Sequence, residues 1–326
     1  MVRMAVIVRK VVAIAVPMAA IASPMAVSDR AISPPNFAVD QPGRIKRQFT
    51  HAGRLTAAGS KLHRNRAKPA TTFAMELVAR TRIVLWEGGS LWAVDARPEA
   101  ERTIRSTDSH AHHALQIVIS LGGTFRLSTA DGSVENAPVV VAADVAHWFE
   151  AEGRVALAFV EPESRLGRAI SERLDFEGGM ARVPADVVGD FAAEVAAATD
   201  PEALAAAGRA LHERMAGDVR AGLPDFRVRR VLAWAQDNLE TAGGLAEAAA
   251  VAGLSPGRLR HLFVEQTGLP FKTYLLWLRM TRAVTAISAG ASLTQAAHEA
   301  GFADSPHFSR TFRRMFGIAP ASLQMT

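Results

Sequence analysis

The sequence predicts an α+β chain of two domains. A small antiparallel β-barrel with helices after it is followed by an all-α domain, in which a linker helix joins two helix-turn-helix units. Three observations predict this. Short apolar runs separated by turn residues fill 82–161, the texture of an antiparallel sandwich or barrel. Alanine-rich stretches with apolar residues at helical spacing follow from Val183. The last third writes one phrase twice, AGLSPGRLRHLF at 252–263 and AGFADSPHFSRTF at 300–312.

Composition limits the alternatives. At 326 residues and 49% hydrophobic, the chain can bury more than one core. It has no cysteine, which excludes disulfides and thiolate zinc sites and fits a reducing compartment. The net charge of +5 conceals three different materials. Residues 1–74 carry 12 Lys/Arg against 2 Asp/Glu, residues 75–224 carry 14 against 23, and residues 225–326 carry 11 against 7. The last segment has the electrostatics to approach nucleic acid.

Residues 1–74 open with MVRMAVIVRK and an apolar run that Pro17 and Pro24 interrupt, a loose match to a secretory signal. Residues 28–72 are rich in Arg, Lys, Pro and Ala without a period. A disordered basic extension is expected here, or a start assigned upstream of Met75, with an export signal or anchor as the remaining reading. No other stretch approaches 18 uninterrupted apolar residues, so no membrane partner is expected.

The barrel is expected over 75–182, from RIVLW (82–86), LWAV (91–94), LQIVIS (115–120), TFRLS (124–128), VVVA (139–142), VAHWFE (145–150) and VALAFVE (155–161). A helical oligomerisation segment is expected over 183–221, as one helix at 183–198 and a second at 201–219 with Pro201 near its start. Within the barrel, SHAHHALQIVISLGG holds His110, His112 and His113. In a strand, residues two apart share a face, so His110 and His112 aim together, Gln116 continues that face, and His147 lies on a later strand. The pattern resembles the cupin motif, in which two histidines, an acidic residue and a later histidine hold a metal. Gln116 stands where glutamate is expected, and the second motif is reduced to Pro138 and His147. A neutral amide is a poor substitute for a carboxylate ligand. His110, His112, Gln116 and His147 are therefore candidates for an effector pocket, with the three histidines as candidate metal ligands or simply as hydrogen-bonded residues.

The domain over 222–326 explains the repeated phrase. FRVRRVLAWAQDNL (226–239) places Val228, Val231, Leu232, Ala235 and Leu239 on one stripe. LAEAAAVAGLSPGRLRHLFVEQTG then reads as helix, turn, helix. Gly253 supplies the turn, Ser255 the N-cap and Pro256 the first helical position, while Gly268 ends the second helix. Counting 100° per residue puts Leu259, Leu262 and Phe263 on one face and Gly257, Arg260 and His261 on the other. LTQAAHEAGFADSPHFSRTFRRMFG (293–317) repeats the scheme. Phe308, Thr311, Phe312 and Met315 face inward, Pro306, Ser309, Arg310 and Arg313 face outward, and His307 and Arg314 flank them. A helix buried on one side and basic on the other, after a short glycine turn, is the helix-turn-helix arrangement.

Between the units lies PFKTYLLWLRMTRAVTAISAG, a helix of roughly 18–20 residues spanning about 27–30 Å. Successive major grooves on one side of B-DNA lie about 34 Å apart. Such a helix can set two recognition helices in adjacent grooves.

Residues 226–326 resemble the DNA-binding domain of AraC/XylS-type transcription regulators, through LAEAAAVAGLSPGRLRHLFVEQTGLPFKTYLLWLRMTRA and AGFADSPHFSRTFRRMFGIAPASLQ. The resemblance implies recognition helices at 256–267 and 305–316. Arg260, His261, Pro306, Ser309 and Arg310 then occupy base-reading positions, and Arg313 and Arg314 favour phosphate contact by the second unit. Gly257 and Pro306 offer no side chain that reads a base, which concentrates specificity in Arg260, His261 and Arg310. Arg279 matches a further family position, with an internal salt bridge to Glu299 as its other reading. The family also implies an upstream sensor barrel and dimerising helices.

The expected function is a sequence-specific transcription regulator, an activator, that binds double-stranded promoter DNA and engages RNA polymerase. A small-molecule effector acts on the sensor, a homodimer is possible, and no cofactor is assigned. The expected location is the cytoplasm, at the nucleoid. The chain is not expected to be an enzyme. The rival readings are a cupin-type metal oxygenase with a helical appendage and a ligand-independent DNA binder. There is no phosphate-binding glycine loop, catalytic triad or zinc-finger spacing.

Overall fold

The computed structural model describes residues 79–96, 106–241 and 243–325; the readings of residues 1–74 lie outside the described residues. Strands β1 (Ala79–Trp86) and β2 (Gly89–Ala96) form a hairpin through Gly88, whose φ of 81° suits glycine. Then come β3 (Leu115–Ser120), β4 (Thr124–Thr129), β5 (Gly132–Glu135), β6 (Val139–Val141) and β7 (His147–Val160).

Strand β7 corrects the sequence reading, because the runs at 145–150 and 155–161 belong to one strand of 14 residues. Its first half pairs with β4, and its second half lies between β2 and β3. Gly153, at φ 77°, lets the chain pass from one sheet to the other. A Cβ there would lie 3.1 Å from Gly123 Cα, so two facing glycines permit the bend. The sheets thus share a strand and fold over a common interior.

Beyond β7, α1 (Arg165–Arg173) and β8 (Met180–Arg182) precede α2 (Ala185–Val188), α3 (Phe191–Ala197) and α4 (Pro201–Ala216). The single helix expected over 183–198 is two short ones, because Gly189 adopts φ 57° between them. In α4, Asp200 caps the Ala203 N–H at 2.8 Å and Pro201 takes the first turn.

Alternation along the strands divides two cores. In β3, Leu115, Ile117 and Ile119 pack outward against α1–α4, on Ile170, Phe191, Leu204 and Leu211. Val118 points inward with Trp92, Val141 and Phe159, and Gln116 shares that inward parity. The interior core continues without a break into the C-terminal helices.

Those helices are α5 (Phe226–Asp237), α6 (Leu245–Ala252), α7 (Pro256–Thr267), α8 (Phe271–Ser288), α9 (Leu293–Glu299) and α10 (Ser305–Phe316). Among the described residues no helix is long and apolar enough to cross a membrane. A 3-10 turn (Pro320–Ser322) leads into β9 (Leu323–Met325), which pairs in parallel with β1, Ala79 opposite Leu323. The end of the chain is therefore a strand of the barrel's sheet, a pairing absent from the sequence reading.

Candidate nucleic-acid interface and the adjoining imidazole cluster

Each helix-turn-helix unit is built by capping chemistry. In the first, Gly253 ends α6 in the left-handed region at φ 66°. Ser255 Oγ then accepts the Arg258 N–H at 3.3 Å, with Pro256 at the first helical position. In the second, Gly301 at φ 74° makes the turn. Asp304 caps α10 by accepting the His307 N–H at 2.5 Å, and Ser292 with Gln295 forms a capping box on α9. Gly268 and Gly317 end α7 and α10 in the left-handed conformation.

The inward residues are buried as expected: Leu259, Leu262 and Phe263 in α7, and Phe308, Thr311, Phe312 and Met315 in α10. On the opposite faces, Gly257, Arg260, His261, Pro306, Arg310, Arg313 and Arg314 are exposed, and His307 and Ser309 are half-buried. His307 lies edge-on to Phe302, with ring centroids 5.4 Å apart. The linker α8 has 18 residues, about 27 Å of helix. Among the described residues Arg279 makes no ion pair with Glu299. Its Nε is buried without a hydrogen-bond partner, close to Gly301.

Inside the barrel, His110, His112, Gln116 and His147 come together, all buried. Only part of the expected strand geometry produces this. His110 forms an isolated antiparallel bridge with His147, each backbone N–H donating to the other's carbonyl at 2.9 Å, while His112 lies in the irregular segment before β3. The ring centroids of His110 and His147 are 4.2 Å apart, and those of His112 and His147 5.0 Å.

One nitrogen of each ring lies within 4.8 Å of the others, so the set can hold a divalent metal. His110 Nδ1–H donates to Asp108 O and His147 Nδ1–H to Val145 O, both at 2.8 Å. Those bonds fix the tautomer and leave each Nε2 with a lone pair, the orientation found at metal-bound imidazoles. Gln116 Oε1 lies 2.8 Å from His112 Nε2 and 3.3 Å from His147 Nε2. The second contact sets two acceptors face to face. It is relieved by turning the amide so that its NH2 meets His147, or by a donor or cation placed between them.

Electrostatics keep these three rings neutral. Burial, then the neighbouring His147, lowers His110 to about 3. Burial, then the other two histidines, holds His112 well below the usual imidazole range, and burial lowers His147. His113 behaves oppositely. Burial disfavours its charge, but hydrogen bonds and proximity to Asp144 and Glu163 outweigh it and raise the ring to about 9. Nδ1 lies 2.8 Å from Asp144 and Nε2 3.2 Å from Glu163.

The cluster touches the second helix-turn-helix unit directly. Arg313 of α10 donates through Nε to Asp108 Oδ2 at 2.7 Å, and the Asp108 N–H donates to Gly317 O at 2.8 Å. Gly317 must be glycine, because a Cβ would lie 2.5 Å from Asp108 O and 2.6 Å from His110 Nδ1. Phe316 packs against Trp92, with centroids 5.1 Å apart, and within 6.0 Å of the His112 ring. Asp108, Trp92, Phe316 and Gly317 are the site residues the sequence reading missed. No local signal marks a contact between positions 205 residues apart.

Comparison with known proteins agrees with the duplicated units. A family described as "Helix-turn-helix domain" matches residues 248–325. The HTH-type transcriptional activator RhaS of Escherichia fergusonii is 35% identical over 101 residues, covering 31% of this chain and 36% of that protein. The chain spans about a third of the length of the curated relatives it matches. An AraC-type DNA-binding domain from Chromobacterium violaceum is 29% identical, at TM-score 0.28, over 29% of this chain and 86% of that one. An apo ToxT variant from Vibrio cholerae aligns at TM-score 0.49 and 10% identity, over 73% of this chain and 97% of that one. Residues 248–325 thus match a helix-turn-helix domain family, and the C-terminal part of the chain is similar to AraC-type DNA-binding domains.

Proposed function

We propose that the chain is a sequence-specific transcription regulator, not an enzyme, in which the β-barrel senses a small molecule and controls the two DNA readers. The observation that carries this reading is the pair of capped helices, α7 and α10, each buried on one face and arginine-bearing on the other, joined by a linker of about 27 Å. Arg260 and Arg310 are the primary base readers, each able to make a bidentate contact with guanine. His261, His307 and Ser309 are secondary contacts, Gly257 and Pro306 let the backbone approach, and Arg313 and Arg314 meet phosphates. Sensor (75–182), oligomerisation segment (183–221) and reader (222–326) are the working divisions, with RNA polymerase and a second copy as partners at promoters in the cytoplasm.

The ion pair between Asp108 and Arg313 gives the sensor a direct hold on the second reader. A carboxylate occupies the guanidinium that a DNA phosphate would use, so sensor and DNA compete for one cation. An effector that moves the 107–112 segment changes DNA affinity only by its differential affinity for the two arrangements.

The test is equilibrium binding of the full chain to genomic fragments selected by that chain. Exchanging Arg260 or Arg310 for Ala costs roughly 1–3 kcal/mol and relaxes specificity at one base position. Equal, sequence-blind losses at all fragments would refute their role as base readers.

A further inference from the structure

The outer face of the barrel carries a row of charge that DNA reading does not use. Strand parity puts Arg80 and Arg82 of β1 on the same face as Val84, which belongs to the core beneath α1–α4. Sheet register sets Arg80 opposite Asp95 of β2, and Asp95 opposite Arg154 of β7. These three residues therefore form one row across three strands, about 10 Å from end to end. A cleft of about 280 Å³ opens over the row and Arg82, and its apolar wall is Leu121 with Ala192, Val195 and Ala196 of α3.

The three guanidiniums differ in what they hold. Arg82 is used by the fold: its Nη1–H donates to Ala198 O at 2.7 Å and its Nη2–H to Val195 O at 3.2 Å, tying the end of α3 to the sheet. Arg80 and Arg154 are exposed, and among the described residues neither side chain makes a hydrogen bond or ion pair. The Arg154 head lies at the rim of the cleft, where a Cβ on Gly122 would be 3.6 Å from its Nη2. Asp95 is the one carboxylate of the lining, and it is itself engaged.

Three arginines against one aspartate leave two positive charges unmatched in the lining. Like charges set side by side repel, and an anion between them removes the repulsion. The guanidinium fork fits two oxygens of a phosphate at once. A phosphate monoester carries about 1.5–2 negative charges at neutral pH, which matches the pair better than a single carboxylate does. The cleft is slightly smaller than the usual ligand site of about 300–1,000 Å³, so it suits a small molecule rather than a duplex. None of its lining comes from α5–α10.

We propose that this cleft binds a small organic phosphate, with the phosphate between Arg80 and Arg154 and the apolar body against α3. The site is distinct from the imidazole cluster, which lies in the barrel interior, and it does not rest on the DNA-reading proposal.

The test is calorimetric titration of the full chain with phenyl phosphate, benzoate and phenol at constant salt. Phenyl phosphate binds saturably, benzoate binds more weakly and phenol does not bind. Arg80→Gln and Arg154→Gln each weaken phenyl phosphate roughly tenfold, with Tm unchanged because both side chains are exposed and unpaired. Arg209→Gln, at an exposed arginine outside the cleft, leaves the affinity as it was. The proposal is overturned if phenyl phosphate gives no saturable binding at millimolar concentration, or if benzoate or phenol binds as well. It is also overturned if both cleft variants bind like wild type, or if a DNA fragment displaces the phosphate, which would place the anion on another basic surface. Failure on any of these counts leaves Arg260 and Arg310 to their own test.

Discussion

Removing the Asp108 carboxylate should tighten DNA binding. In the structure Arg313 Nε and Asp108 Oδ2 are 2.7 Å apart, with the two side chains 52% and 47% exposed. A half-exposed pair of this kind contributes about 0.2–1 kcal/mol, because water and salt screen it. If DNA binding must first break the pair, Asp108→Asn recovers that amount, and the dissociation constant falls by roughly 1.4- to 5-fold. The backbone bond from Asp108 N–H to Gly317 O does not depend on the side chain, so the docking of α10 is otherwise kept. Fluorescence anisotropy on one fixed site measures the change, and a double-mutant cycle isolates its cause. Arg313→Ala alone weakens binding, and Asp108→Asn added to it has no further effect. An unchanged or weaker affinity for the single variant, or the same gain with Arg313 absent, would refute competition for the guanidinium.

Gly317→Ala places a Cβ against Asp108 O and His110 Nδ1 at φ 71°. It should destabilise the chain by about 1–3 kcal/mol, read as a lower Tm, and an unchanged Tm would mean the contact has slack. His212 is buried, and burial lowers it to about 3. Because its folded value is depressed below the unfolded 6.5, its stability contribution is complete above pH 6.5 and is lost as pH falls toward 3. Between pH 6.5 and pH 5 the loss is about 2 kcal/mol. Denaturant titration of His212→Leu should show the pH slope reduced by one proton's worth, and an identical slope would place His212 in contact with water. Dialysis against a chelator should leave affinity for a fixed DNA site unchanged if the imidazole cluster works as a hydrogen-bonded wall; a shift restored by zinc would make it a metal site.

The helix-turn-helix units were legible in the sequence because local rules determine them. Ser255 as cap, Pro256 in the first turn, Gly253 and Gly268 at the ends, and Leu259 with Phe263 on one stripe are all nearest-neighbour chemistry, and the repeat confirms the period. The convergence of His110, His112 and Gln116 was legible for a partly wrong reason. Parity along a strand suggested it, whereas an isolated bridge to His147 brings the first histidine in. Strand β7 was misread because a bend at Gly153 looks like a turn in one dimension. Helices α2 and α3 were misread in the opposite sense, since Gly189 inside an Ala-rich run gives a weak stop. What no local pattern encodes is the docking of barrel on reader. Asp108 with Arg313, Phe316 with Trp92, and β9 with β1 pair residues far apart in the chain.

The most direct test of DNA reading at two places by one chain is in vitro selection of genomic fragments by the full chain, followed by hydroxyl-radical footprinting of a selected site. Two protected patches about one helical turn apart on one face of the duplex are expected. Arg260→Ala should erase one patch and Arg310→Ala the other. A single patch, or salt-sensitive binding with no selected sequence, would contradict it.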